Sequence, residues 1–184
     1  MKHIKTFEQT KVKSFELFYA IQYNDLIKVK KLLKQPDIDL NIQNNIGDSV
    51  LIIASQFKYL DIVKELLKHP NIDVNIQNQY GATALIWASH NGNLDIVKEL
   101  LKYPNIDVNI QDKNRNTALI YNSRYNDLDI VKELLKHPNI NWNLKNNENK
   151  DFLDYLKDKE EIKNLYPEKY KKCLFNKKID DYNL

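Results

Sequence analysis

Glycine is nearly missing from this chain. Its 184 residues include three, Gly47, Gly81 and Gly92. Each stands where a turn is needed, so none is left to build a phosphate-cradling loop. Cysteine is scarcer: Cys173 stands alone. A single thiol forms neither an internal disulfide nor a cysteine zinc site, and a reducing setting is expected, either cytoplasmic or reached by delivery into a host cell without a cleaved signal peptide. No apolar run is long enough to span a bilayer, and the opening MKHIKTFEQTKVKSFELF has no apolar signal core. No membrane partner is expected. An excess of one charge is lacking as well. Lysine and arginine total 28 against 25 acidic residues, a formal +3, too mild for the dense basic face of a nucleic-acid binder. The excess is uneven: residues 1–34 hold eight lysines against Glu8, Glu16 and Asp25. What remains, 42% hydrophobic and 29% charged residues, fits one folded domain or one short repeat array.

The chain does have a period. Pro36, Pro70, Pro104 and Pro138 fall 34 residues apart, and the pair Leu66-Leu67 recurs at the same step as Leu32-Leu33, Leu100-Leu101 and Leu134-Leu135. A fixed period in this range signals stacked repeats. Each period predicts two helices. Thr83 caps the first, ALIWASHN, in which Leu85 and the small Ala88 share a face. Gly92 ends it in a left-handed conformation. Asn93 caps the second, where Ile96, Val97, Leu100 and Leu101 form an apolar stripe and Lys98, Glu99 and Lys102 face solvent. Pro104 stops that helix near Tyr103. The remainder, NIDVNIQNQYGA, predicts an extended, turn-rich finger.

These residues resemble the ankyrin repeat. The resemblance lies in Gly81-Ala82-Thr83-Ala84-Leu85-Ile86-Trp87-Ala88, then Gly92 to Leu101, then Asp107-Val108-Asn109, and it spans about residues 12–156. It implies an all-α solenoid of helix-turn-helix repeats joined by β-turn fingers, with helical caps. The expected division is a capping repeat at 1–46, three central repeats at 47–148, and a capping helix with a tail at 149–184. The first repeat is degenerate: Lys28 stands where Ile62, Ile96 and Ile130 stand later, as suits an exposed end. The charged segment DFLDYLKDKEEIKNL predicts one helix starting near Asp151. The tail is either one more short helix or an extension, with Tyr166, Tyr170, Leu174 and Phe175 placed to pack on the last repeat. Two departures from the family pattern stand out. Isoleucine (Ile52, Ile86, Ile120) replaces the family's histidine, so the turn-bracing bonds of that ring are missing and apolar packing is expected instead. Lys58 and Arg115 occupy turn positions held elsewhere by Gly92 and Gly81, so those two turns are expected to be looser or differently shaped.

Stacked repeats keep their interior and vary their surface. The resemblance implies that partners meet the finger tips and the end of the first helix, on the concave side. The candidate partner-binding residues are Tyr23, Ile46, Gln56, Phe57, Gln79, Tyr80, His90, Asn91, Lys113, Arg124 and Tyr125. Tyr23, Phe57 and Tyr125 hold equivalent positions, and Lys113, Arg124, Lys145 and Lys150 add charge. The expected site is a groove, aromatic in the middle and basic toward its end. The competing account has these rings covering gaps between adjacent first helices. Trp87 is expected to pack between first helices with one edge at the groove.

Chemistry has little support. His69 and His137 share a position with Tyr103 and Gln35, which marks a turn surface, and His90 has no orienting carboxylate. Asp61, Asp95 and Asp129 suit helix starts. No enzyme, cofactor or metal is expected. The expected partner is another protein, with the chain itself a monomer. A nucleic-acid or anionic-surface role for the lysine-rich amino-terminal end is the alternative, and self-association is a weaker variant of the first reading.

Overall fold

The computed structural model describes residues 13–182, with side chains to Ile179. Lys2, Lys5 and Lys11 of the basic amino-terminal stretch lie outside the described residues. Among those residues the helices are α1 (13–22), α2 (Leu26–Leu33), α3 (Val50–Gln56), α4 (Leu60–Leu66), α5 (Ala84–His90), α6 (Leu94–Leu101), α7 (Ala118–Tyr125), α8 (Leu128–Leu135), α9 (Phe152–Tyr155), α10 (Glu160–Leu165) and α11 (Pro167–Tyr182). The fingers form no strand there, only one isolated bridge, Gln43 to Ser49.

Local chemistry sets each start. The hydroxyls of Ser49, Thr83 and Thr117 accept from the amides of Ile52, Ile86 and Ile120. Asp25, Asn93 and Asp127 do the same for α2, α6 and α8. These bonds satisfy amides that the helix itself cannot. Packing then builds two layers. The inner helices α3, α5, α7 and α9 stack in order, and the outer helices α2, α4, α6 and α8 stack behind them. The interior comes from the conserved spacing within each repeat: Ile62, Val63 and Leu66, then Ile96, Val97 and Leu100, all fully buried.

Both turn positions keep one backbone shape whatever residue is present. At the end of the first helix Asn24, Lys58, Gly92 and Asn126 have φ of 54°, 64°, 64° and 58°. At the finger tips Gly47, Gly81, Arg115 and Asn149 have 80°, 76°, 59° and 60°. The expectation that Lys58 and Arg115 make different turns is therefore corrected. The tip is held from outside: Asp112 Oδ1 accepts from the amides of Asn114 at 2.9 Å and Asn116 at 2.8 Å. That hook fixes the loop, and Arg115 bears the strain of a left-handed side-chain-bearing residue.

A ladder of side-chain amides joins successive fingers. Asn41 Nδ2 donates to the carbonyl of Asn71, and Asn41 Oδ1 accepts from the amide of Asp73, both at 2.8 Å. Asn75 and Asn109 repeat this exchange with the next fingers. Gln43, Gln77 and Gln111 each donate across to the carbonyl 34 residues on. The amides of Gln79, Lys113 and Asn147 donate to the carbonyls of Ile46, Tyr80 and Asn114. The expectation that packing alone replaces the missing histidine bonds is corrected in part. Ile52, Ile86 and Ile120 are buried. Hydrogen bonds are made too, by buried finger-base residues: Asn78 Nδ2 to Asp48 Oδ1 at 2.7 Å and Asn146 Nδ2 to Asn116 Oδ1 at 2.9 Å.

The carboxy-terminal end differs from the single charged helix expected at Asp151. Asp151 lies one period after Thr117 and caps α9 through a capping box with Asp154. Extended backbone at Leu156 then breaks the helix, and α10 follows. The pair is a shortened fifth repeat. The tail is the 16-residue helix α11, with Pro167 at its first position, where a missing amide hydrogen costs nothing. Tyr170 and Cys173 are buried, and Tyr166 packs at Trp142, ring centres 5.7 Å apart. Leu174 and Phe175 remain 40% and 64% exposed, so the expectation that they pack on the last repeat fails. The face of α11 that docks is set by Tyr170, Cys173 and Lys177. Lys177 Nζ reaches Asp151 Oδ2 at 2.9 Å and Asp154 Oδ1 at 2.7 Å. Burial pushes the Asp151 carboxyl above its ordinary range, against the pull of Lys177.

A Cβ at Gly81 would lie 2.9 Å from the Lys113 amide nitrogen, whereas at Gly92 the nearest atom is the Asp127 carboxylate at 3.5 Å. Gly81→Ala should lower stability by about 2 kcal/mol, while Gly92→Asn should change it by under about 1 kcal/mol. Urea unfolding of the two variants measures the difference, and equal losses would contradict the packing argument. Separately, burial pushes the Cys173 thiol up to about 11, so iodoacetamide should label it slowly at neutral pH. Lys177→Ala removes the counter-ion of a buried carboxylate and should speed labelling by roughly tenfold through local opening of α11. An unchanged rate would show that Lys177 does not hold the helix.

Candidate functional site

The inner helix ends and finger tips share one face, because the amide ladder sets every finger at the same offset from its helix pair. Along this face five apolar candidates stay open to solvent: Tyr23 at 78%, Tyr125 at 58%, Tyr80 at 54%, Phe57 at 51% and Ile46 at 41%. The backbone fixes their spacing, since Ile46 and Tyr80 accept bonds from the next tips.

The row of matching rings is not continuous. Phe57 lies on Tyr59 of its own repeat, ring centres 5.8 Å apart and nearly parallel. With Ile46, Gln56, Phe15 and Tyr19 it lines a hollow of about 590 Å³ at the α1 end. Asn91 interrupts the row, and its amide donates instead to the Gln56 carbonyl at 2.8 Å, tying α3 to the end of α5. Gln79 and Lys113 are exposed tip residues that enter neither cluster.

A second cluster surrounds His90. Its ring meets Trp87, Tyr121 and Tyr125 edge to face, with centres 5.4 to 5.8 Å apart. Nδ1 lies 3.3 Å from Asn91 Oδ1, and Nε2 lies 3.4 Å from the Tyr125 hydroxyl. The two contacts hold the ring between Asn91 and Tyr125. Tyr125 thus does part of what the competing account asks, bridging α7 to α5, while keeping most of its ring exposed. Trp87 is half-buried, as its expected place between first helices requires. Tyr121 donates to Asp112 Oδ2 at 2.6 Å, and burial together with that bond pushes its hydroxyl up to about 12. The hydroxyl therefore anchors a finger base rather than titrating.

Charge gathers at the far end. Lys150 and Arg124 both approach Glu148, at 3.1 and 3.8 Å, and both lie over the Tyr155 ring, at 5.3 and 5.7 Å. The Lys150 and Tyr155 hydrogen bonds hold the Glu148 carboxyl below its ordinary range. The basic end is therefore partly neutralised, which the list of cations alone did not reveal. Tyr155 was also missed, although it stands one period after Tyr121. Tyr19 holds the same position three periods before Tyr121, in the degenerate first repeat, and Phe15 precedes it by one helical turn on α1. Among the described residues no group of three or more histidine, cysteine or acidic side chains could hold a metal ion. No helix there is long and apolar enough to cross a membrane.

Comparison with known proteins agrees with this architecture. A family model described as ankyrin repeats (3 copies) matches residues 17–112, and a second, ankyrin repeats (many copies), matches residues 102–156. No curated protein matches the chain. Ankyrin repeats are generally protein-protein interaction modules. The matched span and the 34-residue stack of helix pairs with projecting fingers place this chain in the ankyrin-repeat family.

Proposed function

We propose that the concave face is a docking groove for another protein, and that the chain works as an adaptor, inhibitor or effector by gripping that partner. One observation carries the reading. Ile46, Phe57, Tyr80 and Tyr125 stay between 41% and 58% exposed on a face whose backbone is fixed by hydrogen bonds. Large apolar groups held rigidly in water cost solubility and lose little entropy on binding, which makes them effective anchors. Between them the Gln56 side-chain amide is available to a partner's polar groups, while His90 and Asn91 spend theirs on each other, on Tyr125 and on the Gln56 carbonyl, and shape the floor of the face. The lysines of α2, Lys28, Lys30 and Lys31, are exposed on the outer layer rather than on this face, so an anionic partner of that amino-terminal patch would bind away from the groove.

The test is affinity capture from the source cell with mass spectrometry, comparing the wild-type chain with Phe57→Ala/Tyr125→Ala. A partner should be recovered by the wild type and lost by the variant, with the melting temperature shifted by under about 4 °C, since neither side chain is core. A partner retained equally by both would move the site away from this face.

A further inference from the structure

We infer that the segment gripped in the groove is an acidic peptide stretch with a bulky apolar anchor, the anchor seated at the α1 end and the carboxylates along the third and fourth repeats. This rests on the groove reading above and specifies its occupant. The charges on the face are lopsided. From the second to the fourth repeat its tips and inner helix ends expose Lys58, Lys113, Arg115, Arg124 and Lys150 against one carboxylate, Glu148, and past α9 the exposed Asp158 stands between Lys157 and Lys159. Asp48 and Asp112 at the finger bases are buried and engaged within the fold. Glu148 is shared by Arg124 and Lys150, so that trio keeps a net positive charge. Lys113 and Arg115 have no ion-pair partner among the described residues, and they project from one tip whose backbone is held by Asp112. Two unpaired cations on a rigid loop attract carboxylates without first breaking an internal bridge.

The opposite end is mainly apolar, with the amides of Gln22, Asn44, Asn45 and Gln56 along its wall. The hollow lined by Phe15, Phe18, Tyr19, Ile46, Ile53 and Phe57 contains about 590 Å³, room for one large side chain. Buried Asp48 at its wall is already bonded to Asn78. The face therefore offers an apolar socket and a cationic track in fixed order, which gives an extended peptide a direction.

The test selects a displayed library of random peptides, each about a dozen residues long, separately on the full wild-type chain, Lys113→Glu/Arg115→Glu and Phe57→Ala. The best wild-type peptide is then synthesised and its affinity measured by fluorescence anisotropy. Asp/Glu-rich peptides with one large apolar residue should dominate on the wild type. Their affinity should fall roughly tenfold or more on the charge-reversed chain and in high salt. Lys98→Glu, on the outer face of α6, should leave it unchanged. Peptides without acidic bias, weakened by Phe57→Ala but not by charge reversal, would overturn this inference and leave the groove standing. Peptides indifferent to both changes would overturn both readings. A single-stranded oligonucleotide that binds as tightly and is lost on the same reversal would show that the cations read nucleic acid instead. Failure to enrich any peptide would overturn the claim that a short segment suffices.

Discussion

The amide ladder between fingers is the contact on which the rest of the fold depends. A finger with no strand leaves its backbone donors and acceptors without sheet partners, and such groups are costly if unmet. Asn41, Asn75 and Asn109 meet them by donating to one carbonyl and accepting from one amide in the next finger. A carboxamide is suited to this because it carries both functions on one rigid plane. Each bond contributes about 1 kcal/mol net, but the two rungs repeat at every boundary and fix register as well as distance. Gly47 and Gly81 follow from the same constraint. The neighbouring tip approaches so closely that a Cβ would meet its amide nitrogen at 2.9 Å.

The ladder also explains which substitutions the chain accepts. Lys58 and Arg115 hold left-handed backbone because bonds from Asx side chains and from adjoining turns set the loop before the residue does. The φ values show the accommodation: tips with a side chain lie near 60°, whereas the glycines lie near 80°. The isoleucines at 52, 86 and 120 exchange a ring that bonds for a side chain that packs. The polar work passes to Asn78 and Asn146, which bond across to the preceding finger base. A fold defined by repeated boundaries can move one function from residue to residue, provided every boundary remains satisfied.

Much of this was legible in the sequence because the signal repeats. Period, helix caps at Thr83 and Asn93, and the buried stripe through Ile96 and Leu100 are each written several times. The carboxy-terminal end was less legible because it is written once. Asp151 substitutes for a capping threonine, the first helix shrinks to four residues, and Trp142 fills the position of Val108 to seat α11. Only counting one period onward from Thr117, Tyr121 and Val108 exposes that end as a repeat. The candidate site was legible in position but not in grouping. A repeat register shows that Tyr23, Phe57 and Tyr125 correspond, yet it does not show that Phe57 leans on Tyr59 while Tyr125 turns to His90. Side-chain direction depends on neighbours from other registers, and those neighbours differ in every repeat.

This division has a functional consequence. Where fingers meet, the structural bonds run through main-chain atoms of Ile46, Tyr80, Gln79 and Lys113, not through their side chains. The same positions present those side chains to solvent. The contacts between fingers therefore leave these side chains unused, and a tip side chain can change without breaking the contact that holds it in place. His90 is the exception, since its ring is packed among three others. A change there would disturb the join between α5 and α7 as well as any partner. The exposed cations of the third finger and the hollow beside Phe57 lie at opposite ends of this join. The rigidity of α5 against α7 is thus what keeps a fixed distance between them, and a partner that uses both must match that distance.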